Sequence, residues 1–187
     1  MKATLLTIKS YVVRGFDQRH LVVGQILFSL CLSWIYALCA QMILPIYPVV
    51  ITVLPLPIYL MIYTFGKSGA YGFVLYILQG IFGAPFFAHG RSGFAVIAGP
   101  SGGYLMGMAI VAVLLSALLT WYKKSWKRAL LLFLFSEVII LGLGVAQLSF
   151  FVSAQALWIT GLYPFIFGEV LKVMLATMFV AYRAKAL

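Results

Sequence analysis

The stretch Gly161-Leu-Tyr-Pro-Phe-Ile-Phe-Gly-Glu-Val-Leu-Lys-Val-Met-Leu-Ala-Thr-Met-Phe-Val-Ala-Tyr182 decides the class of fold. It is an apolar run of bilayer-spanning length, about twenty residues at 1.5 Å rise each, interrupted by Glu169 and Lys172. A spacing of three places both side chains on one helix face. A charge at hydrocarbon depth costs about 3 kcal/mol or more, so such residues face a protein interior or a water-filled cavity and mark functional sites. The run therefore predicts a membrane helix that presents a carboxylate and an ammonium to a small polar partner.

Composition extends that reading to the whole chain. With 65% apolar residues, 9% charged residues and a mean hydropathy of +1.13, it exceeds the apolar share of a water-soluble domain and reads as an integral membrane protein. The 187 residues have room for about six spans in a single all-α membrane domain, 1–187. Those spans are read at His20 to Ile43, Val49 to Phe65, Ala70 to Pro85, Tyr104 to Tyr122, Ala129 to Phe151 and Tyr163 to Tyr182, forming a six-helix bundle over 20–187. Pro45 and Pro48, Gly66 to Gly69, the Gly-rich Phe86 to Gly103, Lys123 to Arg128 and Ser153 to Gly161 read as the breaks. Pro55 and Pro57 fall inside the second span and predict a kink or break there.

Basic residues orient this map. With both termini cytoplasmic, eleven of the thirteen Lys and Arg residues fall on the cytoplasmic side, which leaves Arg91 outside and Lys172 in the membrane. The net charge of +10 is then mostly topology, with anionic membrane lipids as its partners. Nucleic acid is not expected as a partner, because no basic patch is interleaved with exposed aromatics on a folded face. Residues 1–19 form a basic cytoplasmic segment in which Leu5, Ile8, Val12 and Phe16 share a helical stripe, as an interfacial helix would. That segment lacks the apolar core and cleavage site of a secretory signal, so the first span reads as retained. Cys31 and Cys39 lie about 12 Å apart by helical rise, too far for a mutual disulfide. With two His and no other Cys, neither a metal site nor any cofactor is expected.

Glu169 and Lys172 have two readings, an ion pair that holds the last helix in register or a binding pair with Tyr163 and Phe165 supplying aromatic surface. Glu137, in the fifth span, reads as a second ligand contact, a partner for Lys172, or a neutral acid hydrogen-bonded between helices. Between Gly80 and Gly107 stand eight glycines and two prolines, too irregular to cross lipid exposed. Unstructured segments of this length are usually functional, and a lid over the charged pair is the natural expectation. Gly90, Gly93, Gly99, Ser101, Gly102 and Gly103 are its expected framework, and Arg91 its cation toward an anionic ligand.

At these residues the chain resembles the BioY family, the biotin-capturing S components of energy-coupling factor (ECF) transporters. The resemblance rests on Gly83-Ala-Pro-Phe-Phe-Ala-His-Gly-Arg-Ser-Gly-Phe94, on Gly99-Pro-Ser-Gly-Gly-Tyr-Leu-Met-Gly107, and on Pro164-Phe-Ile-Phe-Gly-Glu-Val-Leu-Lys172. It implies a six-helix S-component bundle, biotin as substrate, and an ECF module of a transmembrane coupling subunit and two ATPases as partner, with self-association the alternative to that module. The chain departs from the family at Glu169, where Asp is usual, at Leu54, where Gln is frequent, and at His89, where many relatives have Gly. Small residues spaced by four in the first helix dock family members on the coupling subunit, and Ser29, Ser33 and Ala37 keep that spacing here. Internal helix packing is the other reading of that stripe.

Biotin's ureido group offers two N–H donors and a carbonyl, its valerate ends in a carboxylate and its rings are apolar. Glu169 suits the ureido N–H groups, Lys172 or Arg91 the ureido oxygen or the valerate, and Gln79 is a further candidate contact. Three rivals stand beside high-affinity biotin uptake: an S component for another vitamin, a purely structural assembly subunit, against which the Glu169 and Lys172 pair argues, and an intramembrane serine protease suggested by Gly99-Pro-Ser-Gly102. The protease needs a base for Ser101, and no His follows His89, so a non-enzyme is expected. No phosphate-binding loop occurs, which puts ATP hydrolysis in a partner.

Overall fold

Long apolar runs become helices because, without water, backbone N–H and C=O groups must satisfy one another within the segment. The computed structural model describes residues 22–45, 49–121 and 125–185. The interfacial helix expected on Leu5 to Phe16 lies outside the described residues, as do Lys2, Lys9, Arg14, Arg19, Lys123 and Lys124.

Helix α1 (Val22–Ala40) is followed by a hairpin of two short antiparallel strands, β1 (Ile43–Pro45) and β2 (Val50–Thr52), with Ile43 opposite Thr52. Next come α2 (Pro55–Phe65) and α3 (Lys67–Ile81), then α4 (Phe94–Ala98) and α5 (Gly102–Trp121). The chain continues through α6 (Trp126–Leu148), α7 (Ala154–Gly161) and α8 (Tyr163–Lys185). Among the described residues, four segments are long and apolar enough to cross a bilayer: Val22–Ala40, Gly102–Leu119, Trp126–Leu148 and Ala154–Ala184. At 11 and 15 residues, α2 and α3 reach about 16 and 22 Å, short of the hydrocarbon thickness.

Four details differ from the sequence reading. Pro55 and Pro57 do not kink a helix; Pro55 starts α2, where a missing N–H costs nothing and the fixed φ suits the first turn, and both prolines are buried. The residues before them pair as β1 and β2 instead of extending a span. Ser153 to Gly161, read as a loop, holds α7, whose first turn is capped by the Ser153 hydroxyl accepting from the Ala156 N–H. A single residue, Gly66, turns α2 into α3 at φ +58°, a region that favours glycine.

The bundle core is aromatic. Tyr36, Tyr59, Tyr76, Phe73, Phe87 and Phe133 are fully buried, while Leu38, Leu131, Val138 and Met178 face outward. Exposed apolar side chains on all the long helices are what a lipid solvent requires. Helix α5 packs on α3 and most extensively on α6, and α8 packs on α2, α6 and α7. This arrangement brings β2, α2, α6 and α8 around one buried charged cluster.

Candidate binding site and its covering segment

Glu169 and Lys172 sit on the inward face of α8, 5% and 8% exposed, joined by an ion pair of 2.8 Å. Lys172 Nζ also donates to the carbonyl oxygen of Thr52 at 2.6 Å, tying α8 to the end of β2. Across from them, Tyr59 on α2 donates its hydroxyl to Glu137 Oε1 on α6 at 2.7 Å, and its ring stacks on Phe133 with centroids 4.5 Å apart. Four elements thus converge on two carboxyls and one ammonium. Paired in this way, a buried charge is tolerated where an isolated one is not.

Thr52 is also a wall of a small cavity of about 30 Å³, room for a water molecule, that lies under the Gly-rich segment. Leu54, Tyr76, Phe87, Arg91, Ser101 and Tyr104 are among its lining residues. Tyr76 brings a buried hydroxyl with no hydrogen-bond partner, and Tyr104 stacks on Phe165 at 5.0 Å while donating to the Gly161 carbonyl oxygen at 2.7 Å. A wider, mostly apolar groove between the hairpin and α8 is walled by Leu171 and Leu175 and is also lined by Thr52 and Lys172.

Two glutamines hold the covering segment down. Gln41, just after α1, donates from Nε2 to the carbonyl oxygens of Phe86 and Phe87, both at 3.1 Å, and accepts from the Gly90 N–H at 3.1 Å. Gln147 on α6 donates to the carbonyl oxygens of Ile97 and Gly99, both at 2.8 Å. The Gly-rich stretch is therefore partly ordered: a short 3₁₀ turn at Ala88–Gly90, an isolated bridge between Phe87 and Arg91, and α4. His89 occupies left-handed backbone at φ +62°, which gives a physical reason why glycine suits this position.

The residues singled out from sequence separate into groups. Arg91, Ser101 and the ring that Phe165 supports gather at the cavity, and Glu169 and Lys172 adjoin it through Thr52. Gln79 turns toward α1, where its Oε1 accepts from the Ser33 hydroxyl at 3.4 Å. Tyr163 points outward, 64% exposed. Ser29, Ser33 and Ala37 are buried, and a Cβ at Gly72 of α3 would lie 2.7 Å from Leu32 Cβ and 3.1 Å from the Ser29 carbonyl oxygen, so their face of α1 packs on α3. Thr52, Tyr59, Tyr76, Gln41 and Gln147 were missed. The two glutamines carried a signal in being polar side chains at the ends of apolar helices.

The fold is thus a bundle of long apolar helices that encloses a buried ion pair beside a small covered cavity. The profile of the BioY family matches residues 10–187. The biotin transporter BioY of Thermotoga maritima is 33% identical over 152 residues, 77% of this chain and 85% of that protein. Biotin transporter BioY2 of Lactococcus lactis subsp. cremoris is 34% identical over 112 residues, 58% of this chain and 61% of the relative's length. A crystal structure of the S-component for biotin from an ECF-type ABC transporter superposes with a TM-score of 0.72 at 23% identity, covering 89% of this chain and 93% of that one, and shares its fold. The chain belongs to the BioY family, and with its long apolar helices it is a multi-pass protein of the bacterial membrane.

Proposed function

We propose that this chain captures biotin and admits it to the cell as the substrate-binding S component of an ECF-type transporter. The observation that carries the reading is the Glu169–Lys172 pair anchored to Thr52 at the wall of a tyrosine-lined cavity, in a chain of the BioY family. Glu169 accepts from the ureido N–H groups, Lys172 and Arg91 supply positive charge to the ureido oxygen and the valerate, and Tyr76 and Tyr104 flank the apolar rings. The reading is of a transporter component, not an enzyme; among the residues lining the cavity with Ser101 there is no histidine to serve as its base. Titration of the purified protein with biotin, riboflavin and thiamine tests the proposal. Heat released by biotin alone, saturating at one molecule per chain, is expected; a response to another vitamin with silence toward biotin overturns it.

The proposal includes six crossings of the membrane in one domain, with α2 and α3 supplying the short second and third, and with both termini cytoplasmic. The partner is an ECF module of a coupling subunit and two ATPases. A cavity of 30 Å³ is well below the ~300 Å³ or more of ordinary ligand sites, so Phe86 to Gly103 serves as a lid that must lift to admit biotin. In this topology the exposed Ser92 faces outside. Ser92→Cys, in a background lacking Cys31 and Cys39, is expected to react with an impermeant thiol reagent on intact cells and to react several-fold more slowly with biotin present. Adding Gln41→Ala removes three hydrogen bonds from the lid and is expected to weaken that protection. Labelling confined to opened cells overturns the topology, and labelling indifferent to biotin removes the lid.

A further inference from the structure

The chain has three acidic residues, and two of them, on the packed helices α6 and α8, are buried inside the bundle. Glu137 on α6 is 6% exposed and Glu169 on α8 is 5% exposed. Each spends one oxygen on a known donor: Glu137 Oε1 on the Tyr59 hydroxyl at 2.7 Å, Glu169 Oε1 on Lys172 Nζ at 2.8 Å. Their other oxygens, Glu137 Oε2 and Glu169 Oε2, are buried without a partner, and the helices that carry them, α6 and α8, pack against each other. Tyr59, Glu169 and Lys172 are the ionisable groups acting on Glu137 among the described residues. The hydroxyl proton of Tyr59 is already committed, and Lys172 divides its donors between Glu169 and Thr52. With both carboxyls ionised the enclosure would hold one uncompensated negative charge and two orphaned acceptors, a costly arrangement in a low-dielectric interior. One proton placed between the two Oε2 atoms satisfies both and leaves the cluster neutral.

We propose that Glu137 is a protonated acid that donates its Oε2–H to Glu169 Oε2, and that it is thereby the positioning residue of the carboxylate that receives the ligand. The inference about positioning rests on the biotin reading above; the shared proton does not. Tyr59 fixes the direction of the chain of hydrogen bonds, because its donation makes Glu137 Oε1 the carbonyl oxygen and leaves Oε2 to carry the proton. The order is then Tyr59 to Glu137 to Glu169, met from the other side by Lys172. Glu169 keeps lone pairs on both oxygens for ureido N–H groups, in a plane set by donors on two sides.

A glutamine reproduces this pattern, its oxygen accepting from Tyr59 and its amide donating to Glu169. An alanine does not. Infrared spectra of the reconstituted protein without ligand are expected to show a protonated-carboxyl C=O band that shifts in heavy water and is lost in Glu137→Gln. Biotin affinity is expected to stay within about twofold in Glu137→Gln and to fall about tenfold or more in Glu137→Ala, with melting temperatures checked in parallel. A wild-type spectrum without the band, or a band that survives in Glu137→Gln, overturns the shared proton. Equal losses of affinity in the glutamine and alanine variants, with both folded, overturn the positioning role. The band is read with no vitamin present, so it decides the shared proton even for a chain that failed to bind biotin.

Discussion

Lys172→Ala and Glu169→Gln are each expected to lower biotin affinity by a factor of about thirty or more, equivalent to about 2 kcal/mol. The two losses have different origins. Lys172→Ala strands Glu169 in the bundle without its cation and releases the Thr52 carbonyl oxygen, so it also lowers stability, by about 3 kcal/mol on the scale of a broken buried ion pair. Glu169→Gln keeps an acceptor beside Lys172 but removes the charge that strengthens hydrogen bonds from the ureido group. The double variant Glu169→Gln/Lys172→Met separates folding from binding, since a buried pair can be replaced by uncharged groups at little cost to stability. Its melting temperature is expected to recover toward wild type while biotin binding stays lost. Normal binding in both single variants, or recovery of binding in the double variant, makes the pair structural.

What the sequence made legible was what depends on local pattern. Glu169 and Lys172 announced themselves because charge is rare in an apolar run, and the long helices α1, α5, α6 and α8 followed from continuous hydropathy. The irregular Gly-rich segment could be placed because its glycines and prolines break that pattern. Less was legible where structure depends on distant partners. Strands of three residues carry no periodicity to read, so Ile43–Pro45 and Val50–Thr52 went unseen although Thr52 joins the cavity to Lys172. The bond from Tyr59 to Glu137 spans 78 positions, and no spacing rule reaches that far. Pro55 and Pro57 misled because proline reads alike at the start and in the middle of a helix, and the hairpin before them decides which applies.

Gly103→Val is expected to cost about 3 kcal/mol or more of stability and to abolish biotin binding, the second large effect of a single substitution. At the start of α5, a Cβ on Gly103 would overlap the Leu143 carbonyl oxygen of α6 and stand 2.8 Å from Gln147 Cβ, and one turn on, a Cβ at Gly107 would stand 2.9 Å from Ile140 Cα. Small residues along this row are what allow the two backbones to approach, and within a bilayer such close packing holds helices together. Relief would have to come from moving α6, because two of the obstructing atoms are backbone. That movement would carry Gln147 away from the Ile97 and Gly99 carbonyl oxygens and shift Tyr104 off Phe165, so the covering segment's anchor and the cavity would be lost together. Gly142→Ala is the matched control: its Cβ meets nothing within 4 Å, and alanine favours a helix by about 1 kcal/mol over glycine. Melting temperature and biotin titration of both variants decide the matter. A folded Gly103→Val protein that still binds biotin would show that the glycines of the Gly99 to Gly107 run do not act by letting α5 and α6 meet.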